Sequence, residues 1–211
     1  MYGRILSLVL VMLLALPLAL ASPLTDAKPK KKIVTRVFTN AGAITMSNVG
    51  VVNPYPATIQ VSGLKKGKIL DVNVLLNNYN NAVPDDTDVL LAASQLPGAN
   101  AIIMSDVGAA IPAVNVNLKL DDQATLPLPD AGPLVSGTFL PTNAAGLADN
   151  FPPPAPPPSG NSALSVFNGG NPNGTWQLFV SETFGNGSAS FTGGWSLEIT
   201  AKVKKGGKHK K

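Results

Sequence analysis

The sequence predicts an all-β domain, a two-sheet β-sandwich, carried behind an export leader. Three observations lead to this fold class. Short runs rich in Val, Ile, Leu and Thr recur between clusters of Gly, Pro, Asn and Asp, which is the pattern of strands and turns. Helical periodicity is hard to find after the leader. Two runs alternate with period two: Ile69 to Leu75 reads Ile, Leu, Asp, Val, Asn, Val, Leu, and Val114 to Leu120 reads Val, Asn, Val, Asn, Leu, Lys, Leu. Each is expected to bury one face and wet the other.

In chain order, the leader comes first. A positive region ends at Arg4, an apolar run extends from Ile5 to Leu16, Pro17 breaks it, and Ala19-Leu20-Ala21 offers small residues where signal peptidase cuts. Residues 1–21 thus read as a signal-peptide helix, and the mature chain as secreted, periplasmic or held at the cell surface. The competing reading is an uncleaved anchor. Ile5 to Leu24 approaches the roughly 20 apolar residues of a spanning helix, and Lys28, Lys30, Lys31 and Lys32 follow it. Membrane contact is expected only in that case.

About 190 residues remain after cleavage, the size of one domain. The expected strands are Val34–Phe38, Ala43–Met46, Thr58–Val61, Ile69–Leu76, Asp88–Ala92, Ala101–Met104, Val114–Leu120, Trp176–Ser181 and Trp195–Thr200. Nine such strands suit a sandwich. Residues 22–50 form a basic segment with the first strands, 51–201 the body of the domain, and 202–211 a basic disordered tail. Between Asp121 and Asn161 the strand signal fades. Phe151 there precedes six prolines interrupted only by Ala155, which reads as extended polyproline-like backbone over residues 151–160. It is either a ligand for an aromatic groove or a stiff surface loop within the same domain.

The chain has no cysteine, so thiol chemistry, thiolate metal sites and disulfides are excluded, and stability must come from apolar burial. The net charge of +4 conceals a division: between Ile33 and Ala201, Arg36, Lys65, Lys66, Lys68 and Lys119 stand against eleven carboxylates. The body is acidic and the ends are basic. Lys28, Lys30, Lys31, Lys32, Lys202, Lys204, Lys205, Lys208, Lys210 and Lys211 can hold a polyanion through counterion release, or they are solvated tails. With no aromatic residue among the C-terminal lysines to stack on a base, sequence-specific nucleic-acid recognition is not expected. If the terminal strands pair, the two lysine clusters come together.

Catalytic signals are lacking. The single histidine, His209, lies in the lysine tail, no Gly-x-Ser-x-Gly elbow or phosphate-cradling loop is present, and a non-enzymatic role follows. Asp85, Asp86 and Asp88, with Asp106 at the end of another strand, offer the loop oxygens that calcium prefers; the other reading is aspartate capping its own turns. Asn173-Gly174-Thr175 and Asn186-Gly187-Ser188 are glycosylation sequons in form and hairpin-turn signals in chemistry.

The most specific pattern lies in the last third: Phe167-Asn168-Gly169-Gly170, Asn173-Gly174-Thr175-Trp176-Gln177-Leu178-Phe179-Val180, and Gly193-Gly194-Trp195-Ser196-Leu197-Glu198-Ile199. It resembles the closing strands of the P domain (P/Homo B domain) of proprotein convertases. Upstream, Asp88-Val89-Leu90-Leu91, Leu96-Pro97-Gly98 and Ile102-Ile103-Met104-Ser105-Asp106 resemble that domain's acidic-start strand, its turn and its next strand. With Tyr55 to Gly63 included, the similarity covers Val51 to Ala201. The sequence departs from the pattern in having no room for a protease domain beside it, and in offering Asn77-Asn78-Tyr79-Asn80 where those domains often carry a histidine. The resemblance implies a jelly roll of the galactose-binding-like kind, working as a free-standing bacterial exported module. Its partners would be an extracellular protein, a polysaccharide or another polyanion. The alternatives are a carbohydrate-binding module or an accessory to a subtilisin-like serine endopeptidase.

Overall fold

A computed structural model describes residues 31–46, 50–146, 149–182 and 189–204. The leader and the sequon at Asn186 lie outside the described residues. So do Lys28, Lys30, Lys205, Lys208, His209, Lys210 and Lys211.

Among the described residues thirteen strands form two packed sheets, and every strand expected from the sequence is present. In chain order they are β1 (Lys31–Asn40), β2 (Ile44–Thr45), β3 (Gly50–Val51), β4 (Ala57–Val61), β5 (Lys68–Asn81), β6 (Thr87–Ala93), β7 (Asn100–Ser105), β8 (Ala113–Leu120), β9 (Gly137–Phe139), β10 (Thr142–Asn143), β11 (Gly174–Glu182), β12 (Ser190–Phe191) and β13 (Trp195–Lys204). The first sheet runs β1-β13-β5-β8-β9, with β12 continuing the β13 flank of β5 and β2 outside it. The second runs β10-β7-β6-β11, with β4 and β3 sharing the far side of β11. Each sheet is antiparallel except for one parallel pair, β8 with β9 and β10 with β7.

The core lies between the sheets. Leu197, Ile199, Ala201 and Val203 of β13 alternate inward and meet Val89, Leu91, Leu178 and Val180 of the second sheet in one buried cluster. Trp176 and Trp195, one from each sheet, are fully buried. Trp176 packs on Phe167 at 4.9 Å and donates its indole N–H to the Pro172 carbonyl.

Both alternating runs carry a correction. The ladder between β5 and β13 slips between Ile69 and Asp71, so Ile69 and Val72 both point inward and Leu70 is exposed. In β8 the left-handed backbone of Asn115 turns Val114 out to solvent, leaving Val116, Leu118 and Leu120 inside. At the C-terminus, β13 runs to Lys204, three residues into the stretch expected to be a disordered tail, because Val203 still has core to cover.

The outer faces of the two sheets differ. On the first, Thr35 bonds Thr200 and Thr39 bonds Ser196 through their hydroxyls, and Glu198 links Lys119 and Asn73. On the second, Leu90, Ala92, Ile102 and Phe179 form a separate apolar patch covered by the proline-rich segment. Phe151 is buried there, the Tyr55 hydroxyl donates to the Pro152 carbonyl, and Asn100 ties down Pro157 and Ser159. The segment is a surface loop that closes an outer face.

Two charged ends of the sandwich

β1 and β13 pair along their full length, with Lys31 opposite Lys204, Lys32 opposite Val203 and Ile33 opposite Lys202. The terminal lysine clusters, as far as they are described, are therefore neighbours. Lys68 lies opposite Lys202 across the next ladder, and the turn between β4 and β5 brings Lys65 and Lys66 to the same end. Even-numbered residues of β1 face the mouth between the sheets. Lys32, Val34 and Arg36 line a groove there with Gly63, Leu64, Lys65, Val203 and Lys204. Gly63 has φ +81°, a left-handed backbone that favours glycine, and a Cβ on it would press on the Arg36 guanidinium at 3.0 Å. The groove holds about 180 Å³, below the roughly 300 Å³ at which small-molecule pockets begin. Its open, cationic form suits a charged chain laid across it. Among the described lysines and arginines, only Lys119 has a salt bridge, to Asp121 and Glu198 on the outer face of the first sheet.

The opposite end collects acid. The strands that leave the basic end finish here: β5 at Asn81, β7 at Ser105 and β11 at Glu182, while β6 starts here at Thr87. The aspartates singled out in the sequence do reach this end, but they divide into two groups. Asp88 and Asp106 share the Ser105 hydroxyl with Asp149, at 2.8, 3.0 and 3.0 Å, and Asn143 donates to the other oxygen of Asp149. One hydroxyl carries one proton, so it serves these carboxylates in turn. Burial, with the Asp106 charge beside it, holds the Asp149 carboxyl above the usual range.

Asp86 belongs to the second group. A short 3₁₀ turn, Pro84–Asp86, leads into β6, and Thr87 lies opposite Glu182 on β11. The Thr87 hydroxyl accepts from Tyr79 at 2.8 Å and from the Asn81 amide at 2.7 Å, and donates to Glu182 Oε1 at 3.0 Å. Asn81 also donates to Glu182 Oε1. Glu182 is 3% exposed and Asp86 7%. Glu182 Oε2 and Asp86 Oδ2 are both buried without a hydrogen-bond partner. Burial pushes the Glu182 carboxyl up against the pull of its Thr87 and Asn81 bonds, and the Asp86 charge adds to the rise. Asp86 is raised by burial and then by Asp85, and Asp85 by burial and then by Asp106 and Asp130.

Of the four aspartates expected to share a calcium ion, Asp88 and Asp106 meet at Ser105, the Asp106 charge also acts on Asp85, and Asp85 acts on Asp86. Among the described residues no set of three or more His, Cys, Asp or Glu side chains is placed to hold a metal. Asp149 and Glu182 were missed in the sequence because each stands alone, far along the chain from the acids it joins. The usable signal for Glu182 was a carboxylate ending the apolar run Leu178 to Ser181. At the sequon Asn173, the amide accepts from the Leu64 N–H and donates to the Leu64 carbonyl, so it braces the turn that positions Lys65.

Among known proteins, no family model matches this sequence, and no curated protein matches it.

Proposed function

We propose that this is a non-catalytic interaction module, exported to the cell surface or beyond, that holds an anionic polysaccharide on its basic end. The observation that carries the reading is the groove of Lys32, Arg36, Lys65 and Lys204, whose charges have no acidic partner among the described residues. Like charges brought this close stabilise nothing in the fold. Their lining holds aliphatic stems and no aromatic ring, which favours a chain read by its charge over a nucleic acid read by base stacking. We relate the domain to the P-domain jelly roll. The supports are the two-sheet architecture and the burial of both tryptophans on strands that follow glycine-rich turns. In this reading β1 and β2, upstream of the similarity, complete the first sheet.

The test is binding of the full chain to a sulfated polysaccharide across a salt series, beside neutral polysaccharide and duplex DNA. Affinity should fall steeply with salt, and the quadruple variant K32Q/R36Q/K65Q/K204Q should bind at least about tenfold more weakly, near 1.4 kcal/mol. Binding that survives both changes refutes the reading. Salt-resistant binding to the neutral polymer would favour a carbohydrate-binding module instead, and tighter binding to DNA would move the partner to nucleic acid.

A further inference from the structure

We propose that Asp86 and Glu182 together hold a hard divalent cation, of the calcium type, at the acidic end of the sandwich. Two buried carboxylate oxygens without any hydrogen-bond donor are the reason. Each side chain is more than nine-tenths buried, and neither Asp86 Oδ2 nor Glu182 Oε2 has a partner. An uncompensated carboxylate beneath the surface is costly. It is relieved by a proton or by a cation.

The surroundings choose the cation. Asp85, Asp88, Asp106, Asp130 and Asp149 gather at the same end of the sandwich and deepen its negative potential, and among the described residues no lysine or arginine is in an ion pair there. The polar neighbours of Glu182 are already committed. Thr87 and Asn81 spend their hydrogen bonds on Tyr79, on each other and on Glu182 Oε1, which fixes the Glu182 carboxylate with its second oxygen free. The donor set is all oxygen, and the chain contains no cysteine, so the fit is to a hard ion. Because the two carboxylates come from a 3₁₀ turn and the end of a strand, the irregular geometry that calcium accepts fits better than a magnesium octahedron, with water filling the remaining positions. The Asp88, Asp106 and Asp149 group differs, since all three carboxylates are reached by the Ser105 hydroxyl and Asp149 also accepts from Asn143.

The inference is independent of the polysaccharide reading and is tested without it. Thermal melting of the full chain should rise by about 5 °C on moving from chelator to about 1 mM calcium. E182Q and D86N should each abolish that rise, while D149N keeps it. In chelator, E182Q should melt no lower than the parent, because it removes a buried charge and preserves the bonds to Asn81 and Thr87. Terbium gives a second readout on the parent protein: Tyr79, one hydrogen bond from Thr87, should sensitise terbium emission that calcium displaces. A calcium rise that persists in both E182Q and D86N, a rise lost in D149N, or no calcium rise and no terbium emission in the parent overturns the proposal.

Discussion

The basic and acidic ends of the sandwich, joined by β5, are built on opposite plans. At the basic end the charges are exposed and unpaired, on side chains whose removal leaves the core as it was. At the acidic end the polar groups are buried and bonded to one another: Tyr79 to Thr87, Asn81 and Thr87 to Glu182, and Ser105 among Asp88, Asp106 and Asp149. Exposed charge is free to meet a ligand and adds little to stability. A buried polar network is worth most when complete, and each broken bond leaves its partner stranded. The first end is therefore open to change by charge substitution, while the second should respond to the loss of a single hydroxyl.

The largest effect expected from this difference comes from replacing threonine by valine at each end. Thr87→Val leaves the Tyr79 hydroxyl without its acceptor and removes one acceptor from the Asn81 amide, both buried, at a cost of about 3 kcal/mol. Thr35→Val, in the exposed pair with Thr200, should change stability by less than about 0.5 kcal/mol. Urea unfolding of the two variants measures both, and equal costs would erase the distinction between the ends.

These plans were unequally legible in the sequence. Strands show themselves through runs of apolar residues, so the longer ones were found, whereas β3, β9, β10 and β12 are only two or three residues long and carry no period. The basic end was readable in part: Lys32 and Lys204 belong to terminal lysine clusters that needed only the pairing of β1 with β13 to unite them, whereas Arg36 and Lys65 stand apart in the chain and join the groove only through the fold. The acidic end was not, because Thr87, next to Asp86, meets Glu182 through a cross-strand register that no local pattern encodes. The proline-rich cover was half legible. Its stiffness follows from composition, but its seat on the second sheet is announced elsewhere, in β6 and β7, which are buried on both faces although antiparallel strands commonly wet one.

A second, intermediate effect concerns pH. Asp85, Asp86, Asp149 and Glu182 all have carboxyls raised in the folded protein, chiefly by burial. A raised acid binds its proton more tightly when folded, so it favours folding at low pH and loses that contribution as pH climbs from the unfolded value through the folded one. In chelator, stability should thus decline as pH rises above about 4, the ordinary carboxylate value. Around Glu182 the groups concerned are Tyr79 and Asn81 from β5, Thr87 and Asp88 from β6, and Asp85 and Asp86 from the 3₁₀ turn. Glu198 works the other way, since its bond to Lys119 lowers it and its contribution is lost as pH falls; being partly exposed, it is screened. Melting across this range should show the decline in the parent and a shallower one in E182Q. A profile that rises throughout would mean that the acidic end is not the pH-sensitive one.

The smallest effect is at the basic end and separates binding from stability most cleanly. Lys31 and Lys204 are directly opposed across the β1–β13 ladder, two like charges on exposed side chains. Lys204→Glu converts that repulsion into an opposite-charge pair and should stabilise the domain by about 0.5 kcal/mol, an increment that fades with added salt. The same change puts a negative charge at the rim of the groove lined by Lys32, Arg36 and Lys65, so anionic polysaccharide should bind more weakly although the fold is firmer. If the lysines were kept for stability, the variant would melt lower and bind as before. A gain in melting temperature coupled to a loss of affinity is expected only where the charges are held for a ligand against the interest of the fold.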